Sequence, residues 1–388
     1  MNELTPRQRV LTILDHKEAD RIAISFAGSA STGILECPPD GRIYTELCEY
    51  LGLRDYESPK IGSAFNTVGN IDERLKQRFA SDLRVIYPNI PEARVEPDGT
   101  KTWEAMCGMR IKKTGLYDDP FDFPMRDWST KEDIKNYPYW PNPEKLDVAG
   151  GKKEEARQLR EMTDYAITGD GFYSMFPFNG YAYLSGMEKW LLDMKLRPDF
   201  YFALADKMLE VALAMNDKFF GTVGDYIDIA VIYDDLGTQQ GLFMSHPDYV
   251  KFIKPYTKQL IQGIKKHTNA KIQLHACGSV YQAIPDLIEI GVDILNPVQP
   301  LARNMEPWRL KKEFGKDLCF CGGIDIQQLL PHGTPEQIKE GVRNTIRQYG
   351  PGGGYILGPS HNIEPDTPPE NIVAMYDAAQ EYGNYPIL

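Results

Sequence analysis

YIDIAVIY at residues 226–233 and KIQLHACGSV at residues 271–280 are two apolar strand signals with a helical pattern, 248–267, between them. Strands that alternate with helices along a chain are joined by crossovers and lie parallel in one sheet. Within KIQLHACGSV, Ile272 and Leu274 alternate with Gln273, His275 and Cys277, and Gly278 ends the run. Side chains two apart on a strand share a face, so His275 and Cys277 emerge together at its end. An imidazole and a thiol placed there suit a soft or borderline metal, zinc above all, although two ligands do not make a site.

Working outward, the same alternation continues in both directions. Upstream strand signals fall at 21–26, 83–87 and 165–168, and downstream ones at 293–296, 318–321 and 354–357. Helical spacing covers 187–220, interrupted near Pro198, then 283–290, 308–314, 335–349 and 369–382. An N-terminal helix over 5–16 has Thr5 as its cap and Pro6 in its first turn. Eight strands close a (β/α)8 TIM barrel. An open doubly wound sheet is the runner-up, but no glycine fingerprint follows a strand in the required context. The expectation is one α/β barrel domain over 1–388 with an N-terminal extension. A β-hairpin insertion spans 94–113, turning at Asp98-Gly99, and 131–153 reads as a surface crossover.

Composition narrows the function. A chain that is 42% hydrophobic and 25% charged can bury a large core, and a net charge of −12 offers no basic stripe for nucleic acid. No apolar run approaches the roughly 18 residues that span a bilayer, and the N-terminus shows no signal-peptide core, so no membrane role and a cytoplasmic location are expected. Six cysteines in 388 residues are too sparse for a disulfide scaffold. Cys37, Cys48 and Cys107 stand alone and read as buried thiols.

Barrel chemistry sits at the C-terminal strand ends. There the sequence offers Asp234 and Asp235, His275 and Cys277, Cys319 and Cys321, and His361. Each has a plainer reading. His275 suits a core hydrogen bond, the aspartates a helix cap, and Cys319 packing below a rim where Cys321 is the nearer ligand. The aromatic stretch FYSMFPFNGYAY (172–183) is either a buried loop or a hydrophobic substrate wall using Phe172, Tyr173, Phe176 and Tyr181. The segment AGSASTG (27–33) after the first strand is either a pocket-lining loop or a flexible connection.

TPRQRVLTILDHKEADRIAI, YDDLGTQQG, LHACGSV, GVDILNPVQP, CGGIDIQQLLP and above all GPSHNIEPDTPPENI resemble the uroporphyrinogen decarboxylase superfamily over nearly the whole chain. The resemblance implies a (β/α)8 barrel and two branches of activity. Decarboxylases of the superfamily hold a polycarboxylate substrate with an arginine-rich loop after the first strand. Here that place is AGSASTG, without arginine. The other branch comprises zinc-dependent methyltransferases that work with corrinoid proteins. It implies His275 and Cys277 as zinc ligands, with His361 where a further cysteine stands in coenzyme M enzymes and Cys321 as an alternative sulfur ligand. Related O-demethylases act on phenyl methyl ethers, which would suit the aromatic stretch.

The leading expectation is therefore a zinc methyltransferase passing a methyl group between a small methylated substrate and the cobalamin of a partner corrinoid protein. Its metal ligands are drawn from His275, Cys277, Cys321 and His361, with Asp234, Asp235 and His361 as catalytic candidates. The resemblance also makes a homodimer plausible. The competing expectations are a metal-free decarboxylase or lyase using His361 with an aspartate, and a non-catalytic barrel with a closed structural zinc site.

Overall fold

In the computed structural model, which describes residues 3–35, 42–60, 67–114, 117–175 and 178–387, the eight apolar runs become eight parallel strands. They are β1 (Ala23–Ile24), β2 (Leu83–Ile86), β3 (Ala166–Asp170), β4 (Ile229–Tyr233), β5 (Lys271–His275), β6 (Ile294–Asn296), β7 (Cys319–Ile324) and β8 (Tyr355–Pro359). The order is β1-β8-β7-β6-β5-β4-β3-β2. Asp82 closes the seam between β1 and β2: its N–H donates to Ile24 O at 2.9 Å, and its Oδ2 accepts from Ile24 N at 2.8 Å. The result is a (β/α)8 barrel rather than an open sheet. Every residue of β3, β6, β7 and β8 is buried, as expected of parallel strands with helices outside and side chains within.

The lower barrel interior is aliphatic. Ala23, Ile229, Val231, Ile294 and Ile356 pack together there, and Val10, Ile13 and Leu14 of the helix Pro6–Leu14 plug the N-terminal end. Thr5 and Gln8 form a capping box that starts this helix, worth about 1 kcal/mol. Burying each of its three plug residues contributes roughly 1.5–3 kcal/mol. Arg9 and Arg21 both pair with buried Asp82 beside the plug.

Two expectations are enlarged. The hairpin at 94–113 is part of a four-stranded antiparallel sheet, Arg94–Val95, Lys101–Trp103, Met109–Thr114 and Tyr117–Pro120. The stretch at 131–153 leads into a helix, Lys152–Met162, which the pattern concealed because only Ala156 of its eleven residues is buried. The break near Pro198 is present, between helices Met187–Leu196 and Pro198–Val223. Among the described residues no helix is long and apolar enough to cross a membrane. Cys48 and Cys107 are fully buried, and Cys37 lies outside the described residues.

Candidate metal centre

The upper layer of the barrel interior is polar. Strand register sets His275 beside Tyr233 on β4 and Asn296 on β6, so the last residues of three strands stand side by side. Beyond β5 the chain turns through Gly278, whose φ of +79° suits glycine, and so presents Cys277. Cys277 Sγ lies 3.4 Å from His275 Nε2. His361, in the loop after β8, brings its ring to 5.4 Å from that of His275. Ligand atoms of His275, Cys277 and His361 all lie within 4.8 Å of one another.

The local bonds prepare these groups. His275 Nδ1 is 2.8 Å from Asn296 Oδ1, and Asn296 Nδ2 points at Cys321 O, 3.4 Å away. That carbonyl fixes the amide orientation, so Nδ1 carries the proton and Nε2 keeps its lone pair. Ser31 Oγ also donates to Asn296 Oδ1, at 3.1 Å. Burial, then the neighbouring His275, lowers the His361 pKa to about 4, against a smaller raising effect of Asp235. His361 is thus neutral near pH 7, and its buried Nδ1 has no protein partner. Burial, reinforced by Asp235, pushes the Cys277 thiol well up. A nearby cation would reverse that preference.

The three groups fit a zinc ion. Two imidazole nitrogens and one sulfur are the donors zinc accepts, and an N···S separation of 3.4 Å is close to the roughly 3.5 Å implied by tetrahedral bonds of about 2.0 and 2.3 Å. Among the described residues three such groups gather, and an ion held by them alone would keep a fourth position open, the pattern of catalytic rather than structural zinc.

The other candidates are distributed differently. Cys321 does not join the group: it packs in the lower interior with Ile294 and Ile356. Burial raises its thiol to about 12, against a smaller opposing effect of its bond with Asn296. The strand continues three residues past Cys321 to Ile324, which leaves the thiol below the rim. Cys319 lies lower still, its Sγ 3.9 Å from Ile13 O. Asp234 is buried, and its Oδ1 accepts from Asn179 N at 3.1 Å, near the start of helix Phe178–Ser185. Burial holds this carboxyl well above the usual range, partly offset by the Asn179 bond and reinforced by Asp235. Asp234 therefore acts as a cap, on a different helix from the segment that follows it. Asp235 stands closer to the metal group: its Oδ1 accepts from Cys277 N at 2.9 Å and lies 3.7 Å from His275 Nε2.

The aromatic stretch largely takes its buried form. Tyr181 stacks on Tyr201 with centroids 5.2 Å apart and donates to Asp193 at 2.8 Å, so it serves the core rather than a substrate wall. Tyr173 is buried. Phe176 and the Phe172 side chain lie outside the described residues.

Nothing in the sequence pattern singles out Asn179, Asn296 or Gln299. Asn179 exchanges two bonds with Asp235, donating to Oδ2 at 3.2 Å and accepting from the Asp235 N–H at 3.0 Å. Gln299 accepts from Gly278 N at 2.8 Å and donates to Ser360 O at 3.4 Å, tying the Cys277 loop to the His361 loop. The one available signal was that Asn296 ends a strand at the mouth. The AGSASTG segment is the pocket-side loop of the two readings: Ser31 reaches Asn296, Ala30 N donates to Asp170 at 2.9 Å, and Asn362 Nδ2 donates to Ala30 O at 2.9 Å.

Fold and site together define a (β/α)8 barrel whose C-terminal mouth gathers two imidazoles and a thiol. The chain belongs to the uroporphyrinogen decarboxylase (URO-D) family, whose model matches residues 153–382, from the helix before β3 to the last helix. It is similar to a methylated-thiol–coenzyme M methyltransferase of Methanosarcina mazei, 25% identical over 205 residues, 53% of this chain and 51% of that protein. It is also similar to a uroporphyrinogen decarboxylase of Trichodesmium erythraeum, 29% identical over 179 residues, 44% of this chain and 48% of that one. The chain thus spans about half the length of these curated relatives. The solved structure of a methyltransferase from Methanosarcina mazei shares the fold, with TM-score 0.67 at 17% identity over 98% of this chain and 99% of that one.

Proposed function

We propose that this protein is a zinc-dependent methyltransferase that moves a methyl group between a small methylated substrate, in first place a phenyl methyl ether, and a corrinoid protein. The observation that carries the reading is the convergence of His275, Cys277 and His361 at the barrel mouth. His275 Nε2, Cys277 Sγ and a nitrogen of His361 would hold the ion. Zinc bound there supplies a Lewis acid that draws electron density from the heteroatom bearing the methyl group. Asn296 and Ser31 keep the His275 lone pair aimed at the centre. Asp235 anchors the Cys277 backbone and, through Asn179, its own loop. The C-terminal mouth of the barrel, which holds these groups, is where the corrinoid partner would dock.

The decarboxylase reading has less support. A polycarboxylate substrate calls for several fixed cations, and the loop after β1 supplies Ser29, Ser31 and Thr32 instead. A histidine that is neutral near pH 7, as burial makes His361, is also a poor proton donor.

The test is metal analysis joined to a transfer assay. Protein purified after growth with added zinc should hold one zinc per chain and transfer methyl from a phenyl methyl ether to a corrinoid protein, with both lost in Cys277→Ala and His361→Ala. Zinc-free protein, or turnover that survives complete chelation, would overturn the reading.

A further inference from the structure

Beside the metal group lies a pair the preceding reading does not use. Tyr233 ends β4 in register with His275, and their rings are 5.4 Å apart. It follows Ile229 and Val231 on the interior face, but unlike them it is half-buried at the mouth. Its hydroxyl donates to Asp170 Oδ2, at the end of β3. Ala30 N donates to the same Oδ2 at 2.9 Å and also approaches the phenol oxygen.

We infer that Tyr233, oriented by Asp170, is the residue that reads the substrate at this mouth, and that it selects methylated substrates bearing a hydrogen-bond donor, a hydroxyl or an ammonium group, beside the methyl-bearing atom. The phenolic proton is committed to Asp170 and one lone pair faces Ala30 N, so what the Tyr233 oxygen has left to offer a ligand is its second lone pair. A lone pair accepts from a donor and gives nothing to an ether oxygen or a carboxylate. Its place next to the His275 ring sets it beside the group bound at the metal position.

The cost of the arrangement argues for function over scaffolding. Asp170 is fully buried, and its Oδ1 has no partner. A buried carboxylate oxygen left without a partner carries a desolvation cost that holding a tyrosine ring does not require. Burial raises the Asp170 pKa to about 6, opposed by the bonds from Tyr233 and Ala30. At pH 7 it is mainly a carboxylate, which fixes the direction of the Tyr233 bond. Asp170 is thus a positioning residue and Tyr233 the one that touches substrate. The inference rests on the methyltransferase reading for the kind of substrate, though not for the way it is tested.

The test is calorimetric titration of the zinc-treated full chain at pH 7 with methoxybenzene, 2-methoxyphenol and 2-methoxybenzylamine. At least one donor-bearing probe should bind about tenfold more tightly than methoxybenzene, and which one does so separates a hydroxyl from an ammonium preference. Tyr233→Phe should erase that gain, bringing the donor-bearing probes to the affinity of methoxybenzene. Asp170→Asn, which can still accept from the phenol, should retain part of the gain, and Asp170→Leu none. Equal binding of all three probes, binding of none, or a gain that survives Tyr233→Phe overturns the inference. Zinc content and methyl transfer are read separately. A zinc-loaded, transferring protein with no gain refutes this inference alone, and a donor gain in protein that holds no zinc refutes only the metal reading.

Discussion

His275 Nδ1 and Asn296 Oδ1 are 2.8 Å apart, and the second bond of Asn296, to Cys321 O, decides which nitrogen of His275 is free. The proton sits on Nδ1 because the amide cannot turn without setting two oxygens against each other. Asn296→Leu removes that constraint and lets the ring change tautomer. Partners of this kind are typically worth 10–100-fold in metal affinity. Zinc competition against a chromogenic chelator should show a loss in that range, with the secondary structure seen by circular dichroism unchanged.

Cys277 and Cys321 make opposite predictions. Cys277 stands in the metal group, whereas Cys321 packs among aliphatic side chains. Cys277→Ala should abolish stoichiometric zinc with little change in stability. Cys321→Ala should keep its zinc and lose about 1 kcal/mol in urea unfolding. Zinc lost from Cys321→Ala with Cys277→Ala unaffected would invert the assignment.

Two buried groups give the metal-free protein opposing pH dependences. The His361 pKa falls from an ordinary 6.5 to about 4, so unfolding takes up a proton between those values. Its contribution is present above pH 6.5 and is lost as the pH falls toward 4. The Asp170 pKa rises from 3.8 to about 6, so unfolding releases a proton, and its contribution is full below 3.8 and lost as the pH rises through 6. Between pH 4 and 6 the two largely cancel. Relative to the unmodified chain, His361→Gln should gain stability as the pH falls from 6.5 to 4, and Asp170→Asn should gain it as the pH rises from 4 to 6. Urea midpoints measured across this range check both signs.

The barrel was legible because its signals are local. Alternating apolar runs and helix periods need no tertiary knowledge, and the strand-end position of His275 follows from the period of two. Cys321 shows where that logic stops. Its apolar run stops at Cys321 and reads as a strand ending at the rim, yet β7 continues through Gly322 and Gly323 to Ile324, so depth depended on stagger between strands. The supporting amides, Asn179, Asn296 and Gln299, were silent for a related reason. A polar residue near a strand end announces itself, but its partner lies on another strand or loop, 21 residues away for Asn296 and 56 for Asn179. The aromatic stretch was ambiguous because packing and ligand walls use the same residues. Only the contacts of Tyr181 with Tyr201 and Asp193 assign that one to the core.

Gly278 carries the last prediction, because it turns the chain that delivers Cys277. Its φ is +79°, and a Cβ there would press on the Gly237 carbonyl oxygen, a backbone atom with little room to yield. Gly278 N also donates to Gln299 Oε1 at 2.8 Å, so displacing this peptide disturbs the link to the His361 loop as well. Gly278→Ala should cost about 1–3 kcal/mol of stability. It should also weaken zinc binding although no ligand has been removed. Because the strain sits in the turn, Gln299→Ala, which cuts the link without loading the backbone, should weaken zinc binding less and leave unfolding midpoints nearly unchanged. If Gly278→Ala binds zinc normally while losing stability, the turn serves only the fold, and Cys277 is placed by Asp235 alone.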